Sequence, residues 1–542
     1  MKKLISILLL AVLLLLAFSL VACDVTGQGG TTNGGGTSNN GGTSNGNGKT
    51  RYVDLYAIND FHGQTDKIAR VGGFLKEKKE QDGNTILLSS GDMFQETLES
   101  NSNYGSLLNN CMAEIGIECM AIGNHEFDWG LQKLQALSEQ TSVKFLCANI
   151  YHWSKDSGWG TFASELADPY YIRTLDNGLK VGIIGIIGSS QITSISSNLV
   201  STIGFKYPSE VIPELSQKLR DEEKCDVVVV STHNSAEDTL ADKYLDMSKY
   251  ADAVFCAHSH RKELETQNGV TFIQGGSKGN YVSNVRLAVD KNGKVTTKKA
   301  ENIKYQTYWT KDQTIAQMVE TSNNAIESTA NQVIATLSGH FGNGSGYNDR
   351  VTHELPRLVS KAIASFAQEQ GYDIDLAMVN QTRNDYGGGT ITYRELFNSI
   401  PFDNVVYIAE VSGKDLLKQT EYKNFWRVTD EPITQNGTYT IAVIDFLLFH
   451  QNANREYNYF PSAFENGKTP VALVTEQNPL LNYRDITKAY LLGEQTVYAS
   501  DFDDSNPHVD YDKISQSVTF ADGMERVGLC VNTLLSTCWA SC

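Results

Sequence analysis

Along residues 52–305, short apolar runs rich in β-branched side chains alternate with longer segments whose apolar positions recur three and four residues apart. YVDLYAI, TILLSS, KVGIIGII, DVVVVST and ADAVFCA are the short runs, and KIARVGGFLKEKKEQ and EVIPELSQKLRDEEK are the periodic segments. The first kind reads as buried strands and the second as amphipathic helices. Their alternation predicts a layered α/β domain. A polar segment over residues 311–337 reads as helical, and the Gly- and Asn-rich stretch GHFGNGSGYNDR that follows it marks a loop. The domain boundary is expected in or just before that segment.

The pattern at the start of the chain is of another kind. MKKLISILLLAVLLLLAFSLVAC sets two lysines ahead of an unbroken apolar stretch ending in small residues, the layout of a secretory signal peptide. Leu20-Val21-Ala22-Cys23 resembles a bacterial lipobox, which would place a lipid on Cys23 and anchor the protein, outside the cytoplasm, to the cell membrane. An ordinary signal peptide or an uncleaved membrane helix is the alternative. Residues 24–49 are nearly all Gly, Asn, Ser and Thr, a composition that buries no core and serves as a flexible tether. The remaining length of about 490 residues exceeds one core, so two or three domains are expected.

The formal charge of −18 argues against a nucleic-acid polymer as partner, because binding a phosphate backbone requires a basic surface. Small phosphorylated ligands stay within reach, since a few local cations suffice for them. No cysteine pair has the spacing of a metal finger. Cys530, Cys538 and Cys542 can form disulfides in an oxidising compartment. For Cys111, Cys119, Cys147, Cys225 and Cys256, free buried thiols are an equal reading.

Polar residues capable of chemistry follow the strands directly. YVDLYAI runs into Asn59-Asp60-Phe61-His62, TILLSS into Gly91-Asp92, and ECMAI into Gly123-Asn124-His125-Glu126. DVVVVST runs into His233-Asn234, and ADAVFCA into His258-Ser259-His260. Loops at the C-terminal edge of an open α/β sheet converge on one crevice. A single Asp after a strand ordinarily caps a helix, and a single His is ordinarily a satisfied polar residue. Five such loops together hold half of the ten histidines with carboxylates and an Asn, a set of N and O donors suited to Zn, Mn, Fe or similar divalent ions.

In order, these blocks resemble the DxH, GD, GNHE, single-His and GHxH pattern of the calcineurin-like metallophosphoesterases, and more closely their 5′-nucleotidase and 2′,3′-cyclic-nucleotide phosphodiesterase branch. Ala257 stands where the last block has its first Gly. The resemblance covers residues 52–500. It implies a four-layer αββα sandwich over residues 51–310, a linker helix over 311–340, a smaller α/β substrate domain over 341–500, and a tail over 501–542. It implies two metal ions, one held by Asp60, His62 and His260 and the other by Asn124, His233 and His258, with Asp92 bridging. His125 would contact the phosphoryl group or leaving oxygen without binding metal, oriented by Asp128, which can also cap the following helix.

The C-terminal half resembles the branch through VNQTRNDYGGGTITYRELFNSIPFDNVVYIAEV. The resemblance implies that Arg383 contacts substrate phosphate, that Asn380 and Asn404 contact a nucleoside, and that Phe402 stacks on a base. An Arg fork suits phosphate oxygens, and stacking is sequence-tolerant. Arg350 would be a second phosphate contact and Phe460 a second ring. Two glycine motifs common in the branch are missing: no Gly pair precedes Arg383, and TIAVIDFLLFHQNANREYNYFPS has no GGDG. The expected function is hydrolysis of nucleotides outside the cytoplasm. The alternatives are a phosphohydrolase for a non-nucleotide ester and a non-catalytic surface binding lipoprotein.

Overall fold

The β-branched runs build two six-stranded sheets. The structure, a computed structural model, describes residues 49–345, 351–452, 454–475, 478 and 481–509. In the first sheet Arg51–Ile58, Thr85–Ser89, Cys119–Ala121 and Lys144–Leu146 run parallel, and Tyr281–Val289 and Val295–Lys304 extend it antiparallel. In the second, Val270–Gly275, Ala253–Phe255, Val227–His233 and Lys180–Ile187 are parallel, flanked by antiparallel Lys262–Gln267 and Tyr170–Thr174.

Alternation along these strands explains the layering. Val53, Leu55, Ala57, Ile86 and Leu88 pack with Val181, Ile183, Val227, Val229 and Phe255 between the sheets. The intervening residues point the other way. Ile58 and Leu87 join the helix Ile68–Gln81 in one outer core, while Val228 and Val230 join Pro208–Asp221 in the other. Strands buried on both faces read as continuous apolar runs for this reason. The outcome is the expected four layers, αββα. Cys111, Cys119, Cys147, Cys225 and Cys256 are buried and carry free thiols.

The segment read as a linker divides in two. Its helix, Gln313–Ala330, packs on the first outer layer through Ile315, whose δ-methyl fills the space over Gly72. The strand after it, Val333–Ser338, already belongs to the C-terminal half, pairing with Gly389–Thr392 and Thr496–Tyr498. That half also has a five-stranded sheet in the order Phe425–Arg427, Leu376–Met378, Thr438–Ile444, Val406–Ser412, Val471–Ala472. Helices Glu354–Glu369 and Tyr483–Glu494 share its core with Phe502 and Val509, so the first residues of the supposed tail are structural. Buried Arg357 holds them, donating to the Phe502 carbonyl at 2.8 Å and pairing with Asp504 at 2.6 Å. The leader, Cys23, the tether, Arg350, and Cys530, Cys538 and Cys542 lie outside the described residues.

Candidate metal centre

The loops at the strand ends bring all seven candidate ligands together, and they do so with unusual backbones. Asp60, His62, Asp92, His258 and His260 have φ of 47°, 49°, 54°, 75° and 58°, the left-handed region that side chains disfavour. Such strain persists where the surroundings over-determine it, and it clusters at functional sites. The glycines of the motifs serve close approach. A Cβ on Gly123 would sit 2.2 Å from Asp92 Oδ1, and one on Gly91 would sit 2.6 Å from the Gly123 nitrogen.

Three clusters of His and Asp place their ligand atoms within 4.8 Å of one another: Asp60, His62 and His260; Asp92, His233 and His258; and His62, Asp92 and His125. The Asn124 Oδ1 lies 3.2 Å from His233 Nε2 and 3.1 Å from His258 Nδ1, joining the second cluster. His233 Nε2 is 3.0 Å from Asp92 Oδ2, and its Nδ1 donates to the Ser90 carbonyl at 2.8 Å, so Nε2 is the nitrogen turned into the centre.

The donor chemistry fits a divalent cation. His62 Nε2 and His260 Nε2 face each other at 2.8 Å. Burial holds the His62 imidazole well below its ordinary range, and burial and neighbouring His233 and His260 lower His258 to about 3; burial also lowers His260 to about 4. All three are neutral, the form that ligates metal. Burial opposes ionisation of Asp92, yet His233 and His125 outweigh it and hold the carboxyl well below its usual range. Asp60 is pushed up to about 7, chiefly by burial, with His233 opposing the rise and Asp92 adding to it. Asn124 Nδ2 and His62 Nδ1 are buried without a hydrogen-bond partner among the described residues.

His125, which shares a cluster with His62 and Asp92, also has a carboxylate partner of its own. Its Nδ1 lies 2.8 Å from Asp128 Oδ2, and although burial opposes the charged form, Asp128 and Asp92 raise its pKa to about 9. Its ring stacks on Phe402 of the C-terminal half, with centroids 5.8 Å apart at 15°. The Arg383 guanidinium lies 4.9 Å over the same Phe402 ring. Asn380 and Asn404 are half-buried on the loops flanking these two residues. Phe460 corrects an expectation. It is fully buried in the C-terminal core, where neither face is open to a ligand. Its neighbour Tyr459 stacks on His450.

Several supporting residues escaped the sequence reading. Glu126 accepts from the backbone nitrogens of Asp92, Met93 and Gly123 at 2.7–2.9 Å, tying two ligand loops together. Asn59 donates to Asp60 and to the Gly276 carbonyl. Arg484 donates to the carbonyls of Ile400 and Phe402 and pairs with Asp403, fixing the turn that carries Phe402. Asp403 also accepts from the Trp129 indole at 3.1 Å, linking that turn to the N-terminal half. Glu126 carried a signal in the GNHE block; Arg484 carried none.

Residues 54–262 match the family model of the calcineurin-like phosphoesterases, and residues 293–427 match that of the 5′-nucleotidase C-terminal domain. Protein UshA of Yersinia enterocolitica is 23% identical over 500 residues, 77% of this chain and 89% of that protein. An apyrase of Tabanus yao is 25% identical over 419 residues, 67% and 72% of the two chains. The fold is similar to that of a 5′-nucleotidase precursor from Thermus thermophilus, with TM-score 0.64 and 19% identity over 82% of this chain and 97% of the other.

Proposed function

We infer that this chain, which belongs to the 5′-nucleotidase family of calcineurin-like phosphoesterases and is a metal-dependent phosphoric ester hydrolase, hydrolyses nucleotides outside the cytoplasm. The activity is that of a 5′-nucleotidase, a 2′,3′-cyclic-nucleotide phosphodiesterase or both. One observation carries the reading: Arg383 and Phe402, from the second domain, meet His125 beside the seven-donor centre. A phosphate-matching cation and an aromatic face thereby stand against the residues suited to phosphoryl chemistry. The leader, the Cys23 motif and the tether support an extracytoplasmic, lipid-anchored location. The phosphoesterase domain ends near residue 310, and the substrate domain takes up from Val333.

Asp60, His62 and His260 would hold one divalent ion and Asn124, His233 and His258 a second, with Asp92 shared. The bound pair supplies Lewis-acid polarisation of the phosphoryl oxygens and a water nucleophile at neutral pH. The chain does the rest. Asp128 accepts a hydrogen bond from His125 Nδ1–H, fixing the ring so that Nε2 meets the phosphoryl or leaving oxygen. Arg383 binds the phosphate, Phe402 offers its ring to a base, and Asn380 and Asn404 contact the nucleoside.

Burial of Phe460 favours a second reading, an ester other than a nucleotide, since the expected second ring for a base is absent from the pocket. Purified protein with Mn or Zn is to be offered AMP, UMP, 2′,3′-cyclic AMP, UDP-glucose and p-nitrophenyl phosphate. Preference for the nucleotides is expected. Turnover of p-nitrophenyl phosphate alone would select the second reading, and no turnover with any metal would leave a binding protein.

A further inference from the structure

We propose that Glu96 decides how much negative charge a substrate of this centre can carry, restricting it to esters whose only phosphate is the one cleaved. The proposal rests on the phosphoesterase reading above. Glu96 follows the Asp92 loop and has φ +127°, a conformation that side chains rarely adopt. Strain of that kind is retained where the position of the side chain matters. Its carboxylate lies 3.3 Å from Lys278 Nζ and 3.6 Å from His62 Nδ1 through one oxygen, and 3.6 Å from Arg383 Nε through the other. The three partners come from a ligand loop, the turn after Val270–Gly275, and the C-terminal domain. Glu96 therefore faces cations from both domains at the mouth of the metal centre, engaging Lys278 more closely than Arg383.

A cavity of about 320 Å³ opens beside it, lined among others by Asp66, Glu96, Glu99, Lys278, Asn384 and Arg394. Arg394 is paired with Glu99, as Lys278 is with Glu96. Three carboxylates against two cations leave these lining residues with a net charge of −1. A cation already joined to a carboxylate offers little to a second phosphate, and at a partly buried site like charges repel strongly. Neutral polar groups find amide partners there instead. The device is a repulsive element built against one substrate class, beside cations that would otherwise attract it.

The test uses the full-length, metal-loaded protein as wild type, Glu96→Gln and Glu96→Gly. Glycine relieves the backbone strain, so a failure to fold does not confound that variant. Two ratios are read: kcat/KM for ADP over AMP, and the calorimetric Kd of inorganic phosphate over that of pyrophosphate. Both are expected to rise by about tenfold in each variant, from removal of one negative charge at short range. Ratios within twofold of wild type overturn the proposal. So does a parallel weakening of both ligands with loss of bound metal, which would make Glu96 a support for His62 only. If the wild type cleaves no phosphate ester, the functional reading fails by itself, and the pyrophosphate-to-phosphate binding ratio still decides the role of Glu96.

Discussion

The two halves of the molecule present their active-site residues by different means. In the N-terminal half, the candidate ligands sit at or just after the ends of parallel strands, five of them in left-handed backbone, with Gly91 and Gly123 placed where the loops touch and a side chain would not fit. In the C-terminal half, Arg383 and Phe402 sit on loops, and the Phe402 turn is held from behind by a buried arginine. A metal centre requires several donors fixed within tenths of an ångström, which strand ends supply. Substrate recognition tolerates a looser mount, and loops are where such residues vary.

The sharpest way to break this comparison is Asp92→Ala, which removes the carboxylate shared by two of the donor clusters. Turnover is expected to fall beyond the roughly 10²–10⁴-fold that a lost acid–base group causes. Elemental analysis should show metal below full loading; full loading would remove Asp92 from the ligand set. His125→Gln should reduce kcat by about 10²–10⁴-fold while metal content stays at the wild-type value, the pair of results that a ring acting on substrate gives. Loss of metal in that variant would put His125 among the ligands, as its cluster with His62 and Asp92 allows.

A third prediction concerns stability in the C-terminal half. Burial raises the carboxyl of Asp445 to about 7, against donation from the Phe446 nitrogen at 2.7 Å. The folded protein therefore binds a proton that the unfolded chain has released between about pH 4 and 7. That contribution is full below pH 4 and is lost as pH rises through 7, a change of up to about 4 kcal/mol. Asp445→Asn, which resembles the protonated form, should flatten the slope in denaturant titrations; an unchanged slope would assign it to other groups. The smallest effect is expected at the loop-mounted ring. Phe402→Ala should weaken nucleotide binding by about 1–3 kcal/mol, seen in KM more than in kcat, with p-nitrophenyl phosphate less affected. Equal losses for both substrates would mean that the ring serves to seat His125.

Legibility in the sequence followed the same division. The ordered recurrence of Asp, His and Asn after apolar runs pointed to the metal centre, since each motif is local and strand ends converge by topology. Phe460 shows the limit: a Phe near a strand looks the same whether it faces a pocket or the core, and here it lies in the core. Glu96 gave no signal in MFQETLES, where an acid before a short helix is ordinary. Its meaning comes from Lys278 and Arg383, which are remote in the chain.

The sequence by itself determined the layered α/β architecture and pointed to seven candidate donors, with His125 and Asp128 set apart through the resemblance to the phosphoesterases, because hydrophobic period and motif order are properties of short segments. Only the tertiary structure decided the left-handed ligand backbones, the burial of Phe460, the docking of the helix Gln313–Ala330, and the Arg484 and Glu96 networks. Each depends on which distant segments meet, and packing sets that across the whole chain.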